Sequence, residues 1–135
     1  MDRTQVTGWV QAYENVWRTP GTDALASIFT EDAAYLQGPY QEPVIGLPAI
    51  ARMWEGERTG PDEVFRMTSD IVAVEGNTAV VRVEVFYGEP VDKEYRDLWV
   101  IRFAADGRSQ SFEEWPFWPS RSITVPTDTG VRRSE

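Results

Sequence analysis

The chain predicts an α+β domain in which helices lie on one side of a strongly bent antiparallel sheet that wraps into a cone. Three observations carry that reading. Apolar residues recur at helical spacing only before Gly56, the period changes to two from Val64 onward, and Asp106-Gly107 joins two long alternating segments as a tight hairpin turn.

In chain order, Val6, Trp9, Val10, Tyr13, Val16 and Trp17 form the aromatic stripe of a first helix that stops before Pro20-Gly21. A short second helix follows, capped by Thr22 or Asp23, with Leu25, Ile28 and Phe29 on its inner face. Ala33 to Gln37 reads as a short strand on which Tyr35 and Gln37 point the same way. Gly38-Pro39 and Pro43 make an irregular loop. A third helix comes next, with Pro48 in its first turn, Ile50, Met53 and Trp54 as its stripe, and Gly56, Gly60 and Pro61 ending it.

Four long strands complete the domain. The first runs from Val64 to about Val74, and a turn at Glu75-Gly76-Asn77 leads to the second, Thr78 to Tyr87. After a loop over Gly88 to Asp92 come the two strands of the hairpin. On the first of these Tyr95, Asp97, Trp99, Ile101 and Phe103 share one face, opposite Arg96, Leu98, Val100 and Arg102. On the second, Phe112 and Glu114 lie opposite Glu113, Trp115 and Phe117. The domain therefore spans 1–119. Residues 120–135 are polar without a lasting period, and are expected to be a mobile tail or a strap over a neighbour.

Composition narrows the chemistry. The 135 residues fit one domain, and six Trp, five Tyr and six Phe must line a core, a subunit contact or a small-molecule cavity. Thirteen basic against 22 acidic residues give a net charge of −9, which argues against nucleic acid and anionic membrane as partners. With neither Cys nor His, thiolate and imidazole catalysis are excluded, and no metal or cofactor is expected. Carboxylates, Tyr, Arg, Lys and bound water remain. No targeting signal or long apolar run is present, so a soluble cytoplasmic protein is expected.

The strand Ala79–Tyr87 admits two readings. Val81, Val83 and Val85 could face the core, with Arg82 and Glu84 in water as an ordinary surface pair. Alternatively Arg82, Glu84 and Phe86 face a cavity, and the valines pack outward against another subunit.

The chain resembles the nuclear transport factor 2-like superfamily of cone-shaped domains, in its SnoaL-like branch. The likeness rests on Trp9, Tyr13 and Trp17 of the first helix, on Phe29-Thr30-Glu31-Asp32-Ala33-Ala34-Tyr35 followed by Pro39 and Gly46, and on Tyr95-Arg96-Asp97-Leu98-Trp99 leading to Asp106-Gly107-Arg108 and Trp115-Pro116-Phe117. In that superfamily the strand face matching Arg82, Glu84 and Phe86 lines the pocket, so the resemblance implies the second reading. On that second reading Val81, Val83 and Val85 need cover, so a homodimer through the outer sheet face is expected.

The nearest chemical pattern is that of the limonene-epoxide hydrolases. Arg82 and Glu84 match their Arg-x-Asp, Glu114 their second Asp, and Tyr35 and Gln37 their Tyr-x-Asn, each acid being one methylene longer here. By that analogy Glu114 deprotonates a water held by Tyr35 and Gln37, Glu84 protonates the leaving oxygen, and Arg82 orients both. Two carboxylates beside one guanidinium in an apolar cone would share one proton near neutral pH.

Other chemistries of the cone are considered too. Tyr13 matches the hydrogen-bonding Tyr of the ketosteroid isomerases, but Gly38 and Trp99 stand where that family has its two Asp residues. SnoaL-type polyketide cyclases use a pocket acid for proton transfer, and Asp97 could serve if it lies at the cavity mouth, but pairing with Arg96, Arg102 or a charge on a neighbouring strand is the favoured role. The expected pocket is lined by Trp9, Tyr13, Trp17, Trp54, Phe86, Asp97, Trp99 and Phe112, and takes a small apolar molecule. A non-catalytic binding cone, or an inert relative, is the alternative to an enzyme.

Overall fold

The computed structural model describes residues 1–58 and 63–119. The tail 120–135, expected to be mobile, lies outside the described residues, as do Gly60 and Pro61. Helix α1 (Arg3–Arg18) starts in a capping box, with Gln5 N donating to Asp2 Oδ1 at 2.8 Å and Asp2 N donating to Gln5 Oε1 at 2.9 Å. Its apolar stripe is buried from Val6 to Val16. The expected second helix is a single 3₁₀ turn, Asp23–Ser27, and Phe29 belongs instead to strand β1 (Phe29–Leu36). The backbone explains the difference: Ile28 O accepts from Ser109 N at 2.7 Å, tying the chain to the sheet where a longer helix would have turned inward.

The loop after β1 contains a two-residue strand, β2 (Val44–Ile45), which pairs back on β1. Gly46 then opens helix α2 (Leu47–Glu57) at φ +90°, a conformation that residues with a Cβ rarely adopt. Gly56 lies inside α2, which closes at Arg58. Strands β3 (Phe65–Glu75), β4 (Thr78–Tyr87), β5 (Lys93–Phe103) and β6 (Ser109–Phe117) follow, with their turns at Gly76 and Gly107 where the sequence puts them.

Among the described residues the sheet has six strands, in the order β2-β1-β6-β5-β4-β3. It is mixed, because β1 runs parallel to β6 while every other neighbouring pair is antiparallel. Register shifts between Phe29 and Ala34, between Ile71 and Ala73, and between Arg102 and Phe103 bend it around α1 and α2.

Strand β4 corrects the sequence expectation. Val81 and Val83 are fully buried in the core, and Val85 faces inward beside them. Arg82, Glu84 and Phe86 lie on the outer face. Arg82 Nη1 reaches Asp70 Oδ2 at 3.2 Å with its side chain 56% exposed, Glu84 sits 4.0 Å from Arg96 Nε, and Phe86 is covered by the Arg66 guanidinium. The physical reason is a comparison of costs. Each fully buried valine contributes about 1.5 kcal/mol or more, whereas a guanidinium and a carboxylate in an apolar cone would each carry a desolvation penalty that exposed pairing avoids. The valines are therefore covered within the chain, and the outer face presents Leu98 and Trp115 instead.

Candidate acid-base site in the cone

The bent sheet and the two helices enclose a cavity of about 260 Å³ that is open at one end. Tyr13 reaches it from α1, Trp54 from α2, Tyr35 and Gln37 from the end of β1, Asp97 and Trp99 from β5, and Glu114 from β6. The hairpin register brings the last three together. Trp99 is directly opposite Glu114 and Asp97 opposite Pro116, so Asp97 and Glu114 are diagonal neighbours on one face, with backbones roughly 7 Å apart.

Three oxygens form a chain into the core. Tyr13 Oη and Tyr35 Oη are 3.0 Å apart, and Tyr35 Oη donates to Glu114 Oε1 at 3.3 Å. Parallel pairing of Tyr35 with Phe112 sets this geometry, because it places the Tyr35 ring 4.8 Å from that of Phe112, two residues before Glu114. Phe112 stacks on Tyr13 at 5.4 Å, and Trp99 lies 4.6 Å from Tyr13 on another side. Rings packed this closely leave the two hydroxyls few rotamers.

Burial sets the protonation states. It pushes Glu114 up to about 8, the negative charge of Asp97 adds to the effect, the Tyr35 hydrogen bond opposes it, and Glu57 contributes a further rise. Burial also pushes Asp97 up to about 6, with the Trp99 side chain acting in the opposite sense. Tyr13 and Tyr35 are held well above the ordinary tyrosine range, first by burial and then by Glu114, so both stay O–H donors. Near neutral pH the pair thus holds one proton, mostly on Glu114, leaving a carboxylate at Asp97. One acid and one base stand in the same cavity.

Asp97 is 8% exposed, and its Oδ1 has no hydrogen-bond partner among the described residues. Arg96 and Arg102, its expected partners, are on the opposite face of β5 by the two-residue period. The cavity mouth carries Glu57, Glu63, Lys93, Tyr87, Tyr95 and Trp118. Burial, and then negative charge with Glu63 first, hold Tyr87 well above the ordinary tyrosine range. Two of the cavity tryptophans are braced from behind by Arg58. Its guanidinium donates to Thr19 O and Gly21 O, both at 2.6 Å, and lies 5.6 Å from the Trp17 ring and 5.8 Å from that of Trp54.

Of the residues expected from the sequence, Glu114, Tyr35, Gln37, Tyr13, Trp17, Trp54, Asp97 and Trp99 line this cavity. Trp9 and Phe112 belong to the core beneath it, and the Trp9 indole N–H is used by Ile28 O at 2.9 Å. Arg82, Glu84 and Phe86 are outside the cone, so among the described residues no guanidinium flanks the carboxylates, and the second acid is Asp97 where Glu84 was expected. The sequence reading passed over Tyr87 and Tyr95 as lining residues. Tyr87 shares its side of β4 with Val81, Val83 and Val85, and Tyr95 its side of β5 with Asp97 and Trp99, so the period alone places them once the inner side is known. Among the described residues no three acidic side chains converge as metal ligands.

The family model for the SnoaL-like domain matches residues 10–112. No curated protein is similar to the chain at a significant level. Solved structures share the fold. One is a protein from Kribbella flavida assigned to the ketosteroid isomerases, 20% identical with a TM-score of 0.63, the match covering 98% of this chain and 91% of that one. A second is an isomerase assignment of the SnoaL-like family from Agrobacterium tumefaciens, 18% identical with a TM-score of 0.68, covering 84% of this chain and 98% of that one. A third is SalBIII, an epoxide hydrolase/cyclase-like enzyme in pyran ring formation of the polyether salinomycin, 16% identical with a TM-score of 0.69, covering 88% and 94%.

Proposed function

Since the chain belongs to the SnoaL-like domain family, we propose that its cone is the active site of a cofactor-independent acid–base enzyme of the isomerase or cyclase type, acting on a small molecule. The observation that carries this reading is the buried Asp97–Glu114 pair, whose environments split it into one base and one acid. The Asp97 carboxylate takes a proton from carbon next to a carbonyl, and the C–H electron pair moves toward the carbonyl oxygen. Glu114, in contact with Tyr35, donates to that oxygen as charge develops. Asp97 returns the proton at a second carbon while Glu114 takes its own proton back from the oxygen as the carbonyl reforms, so nothing is consumed and no external reductant or oxidant is required.

Hydrogen-to-deuterium exchange tests the first half-reaction. A panel of small cyclic and acyclic ketones in D₂O, followed by NMR, is expected to contain members whose carbon-bound protons wash out faster than in buffer. A panel in which every member exchanges at the buffer rate overturns the proposal.

Epoxide opening is the second reading, favoured because Tyr35, Gln37 and Glu114 line one cavity as the hydrolase pattern requires. Asp97 would then activate the water and Glu114 protonate the epoxide oxygen, the reverse of the sequence assignment for Glu114. Epoxides placed in the same panel distinguish the two, since hydrolysis in ¹⁸O-water labels the diol product.

The homodimer belongs to the proposal through different residues. Leu98 and Trp115, directly opposite on β5 and β6, are 40% and 38% exposed on the outer face. Light scattering is expected to give twice the 15.4 kDa chain mass, and a monomer would remove this part.

A further inference from the structure

We infer that the cavity takes a ligand bearing an organic cation, a small amine or quaternary ammonium, seated against Asp97 among the ring faces of the cone. Three features of the site point there independently.

The first is its charge. Among the described residues Glu57, Glu63, Asp97 and Glu114, the last mostly protonated near neutral pH, line the cavity against one lining cation, Lys93. The sign is felt inside, because Asp97 and Glu57 both disfavour ionisation of Glu114, and Glu63, Glu114 and Asp97 all disfavour ionisation of Tyr87. A carboxylate or phosphate ligand would add to that repulsion.

The second is Asp97 itself. It is more than nine-tenths buried, it lines the cavity, and Oδ1 is without a donor among the described residues. A purely apolar ligand would displace water from this carboxylate and give nothing back, whereas an ammonium supplies both charge and, if protonated, an N–H. Among the described residues the acidic side chains do not converge in threes, an arrangement that suits a diffuse organic charge.

The third is the aromatic wall. Trp17, Tyr87, Tyr95 and Trp118, with the nearly fully buried Trp54 and Trp99 behind them, line a space of about 260 Å³, large enough for a trimethylammonium group with a short chain. The protein already uses these rings in this way at the edges of the cavity. Lys93 Nζ lies 5.6 Å from the Tyr87 ring centre, and Arg58 covers the two tryptophans from outside.

That this ligand is also the substrate rests on the proposed acid–base reading, but its binding does not. The test therefore uses unreactive probes. Choline and its uncharged carbon counterpart, 3,3-dimethylbutan-1-ol, have the same shape, and titration against tryptophan fluorescence or amide NMR shifts reports both. Choline is expected to bind at least about tenfold more tightly than the alcohol at pH 7.5. Asp97→Asn is expected to erase that preference while leaving the alcohol unchanged. Glu57→Gln, at the exposed mouth where folding is not at stake, is expected to reduce it about two- to threefold. Equal binding of the two probes, or a choline preference that survives Asp97→Asn, overturns the inference. Because neither probe has an acidic carbon, either result leaves the exchange test of the proposed function standing on its own.

Discussion

Glu114→Gln is expected to lower kcat on any substrate that the exchange screen identifies by about 10²- to 10⁴-fold, with KM changed less than a few-fold. Gln has the shape of a protonated Glu and can accept from Tyr35 Oη as Oε1 does. The ground state of the cavity is thus almost unaltered, and what is lost is the acidic proton needed as the carbonyl oxygen gains charge. The pH profile sharpens the expectation. With Asp97 at about 6 and Glu114 at about 8, kcat/KM for the wild type should rise as Asp97 ionises and fall as Glu114 does, giving a narrow bell. Those arms belong to the pair as a unit. Residual activity of the Gln variant should lack the alkaline arm. Full activity in Glu114→Gln, or a flat profile from pH 5 to 9 in the wild type, would remove Glu114 from the chemistry.

The legible part of this site was the hairpin. Asp106-Gly107 fixes where β5 ends and β6 begins, and from that point the two-residue period assigns faces without further information. Tyr95, Asp97 and Trp99 on one strand and Phe112 and Glu114 on the other share the faces that the period assigns, and those faces turn inward. Strand β4 was harder because its two faces are each plausible interiors. Residues directly opposite across antiparallel strands share a face, and Val83 stands opposite Asp97. Had that register been known, Asp97 facing inward would have placed Val83 inside and Arg82 outside. Register depends on the Gly88–Asp92 connection, whose loop geometry no local pattern specifies.

The importance of Asp97 was obscured for a related reason. It is the one acid on an aromatic strand face, and two arginines lie within five residues, so pairing was the natural expectation. The same period that turns Asp97 inward turns Arg96 and Arg102 outward, so neither of them reaches the carboxylate. The parallel pairing of β1 with β6 was beyond the sequence altogether. It joins residues about 80 positions apart through no turn motif, yet it is what carries Tyr35 to Glu114. Cavity volume was unreadable because it is the space left between tightly packed rings, a small difference between large volumes.

The same Glu114→Gln change should stabilise the protein in alkaline solution even as it disables the site. Both carboxyls have folded pKa values above their ordinary ones, so the folded state holds its protons more tightly than the unfolded chain does. Their favourable contribution is fully present below about pH 4 and declines as pH rises. It is lost by about pH 6 for Asp97 and by about pH 8 for Glu114, where the fold must accommodate two buried negative charges. Relative to the acidic side, the loss at Glu114 is on the order of 3 kcal/mol, since each pKa unit corresponds to about 1.4 kcal/mol and local relaxation reduces the full shift. Gln carries no charge at any pH. Thermal unfolding followed from pH 4 to 9 should therefore show wild type and variant nearly equal at pH 4, diverging progressively from about pH 5 to pH 8 and running parallel above that. At pH 9 the variant is expected to melt about 8 °C or more above the wild type. Parallel curves across the whole range would mean that Glu114 ionises as easily in the fold as in the open chain, and the acid at the centre of the proposed mechanism would no longer be protonated where it has to act.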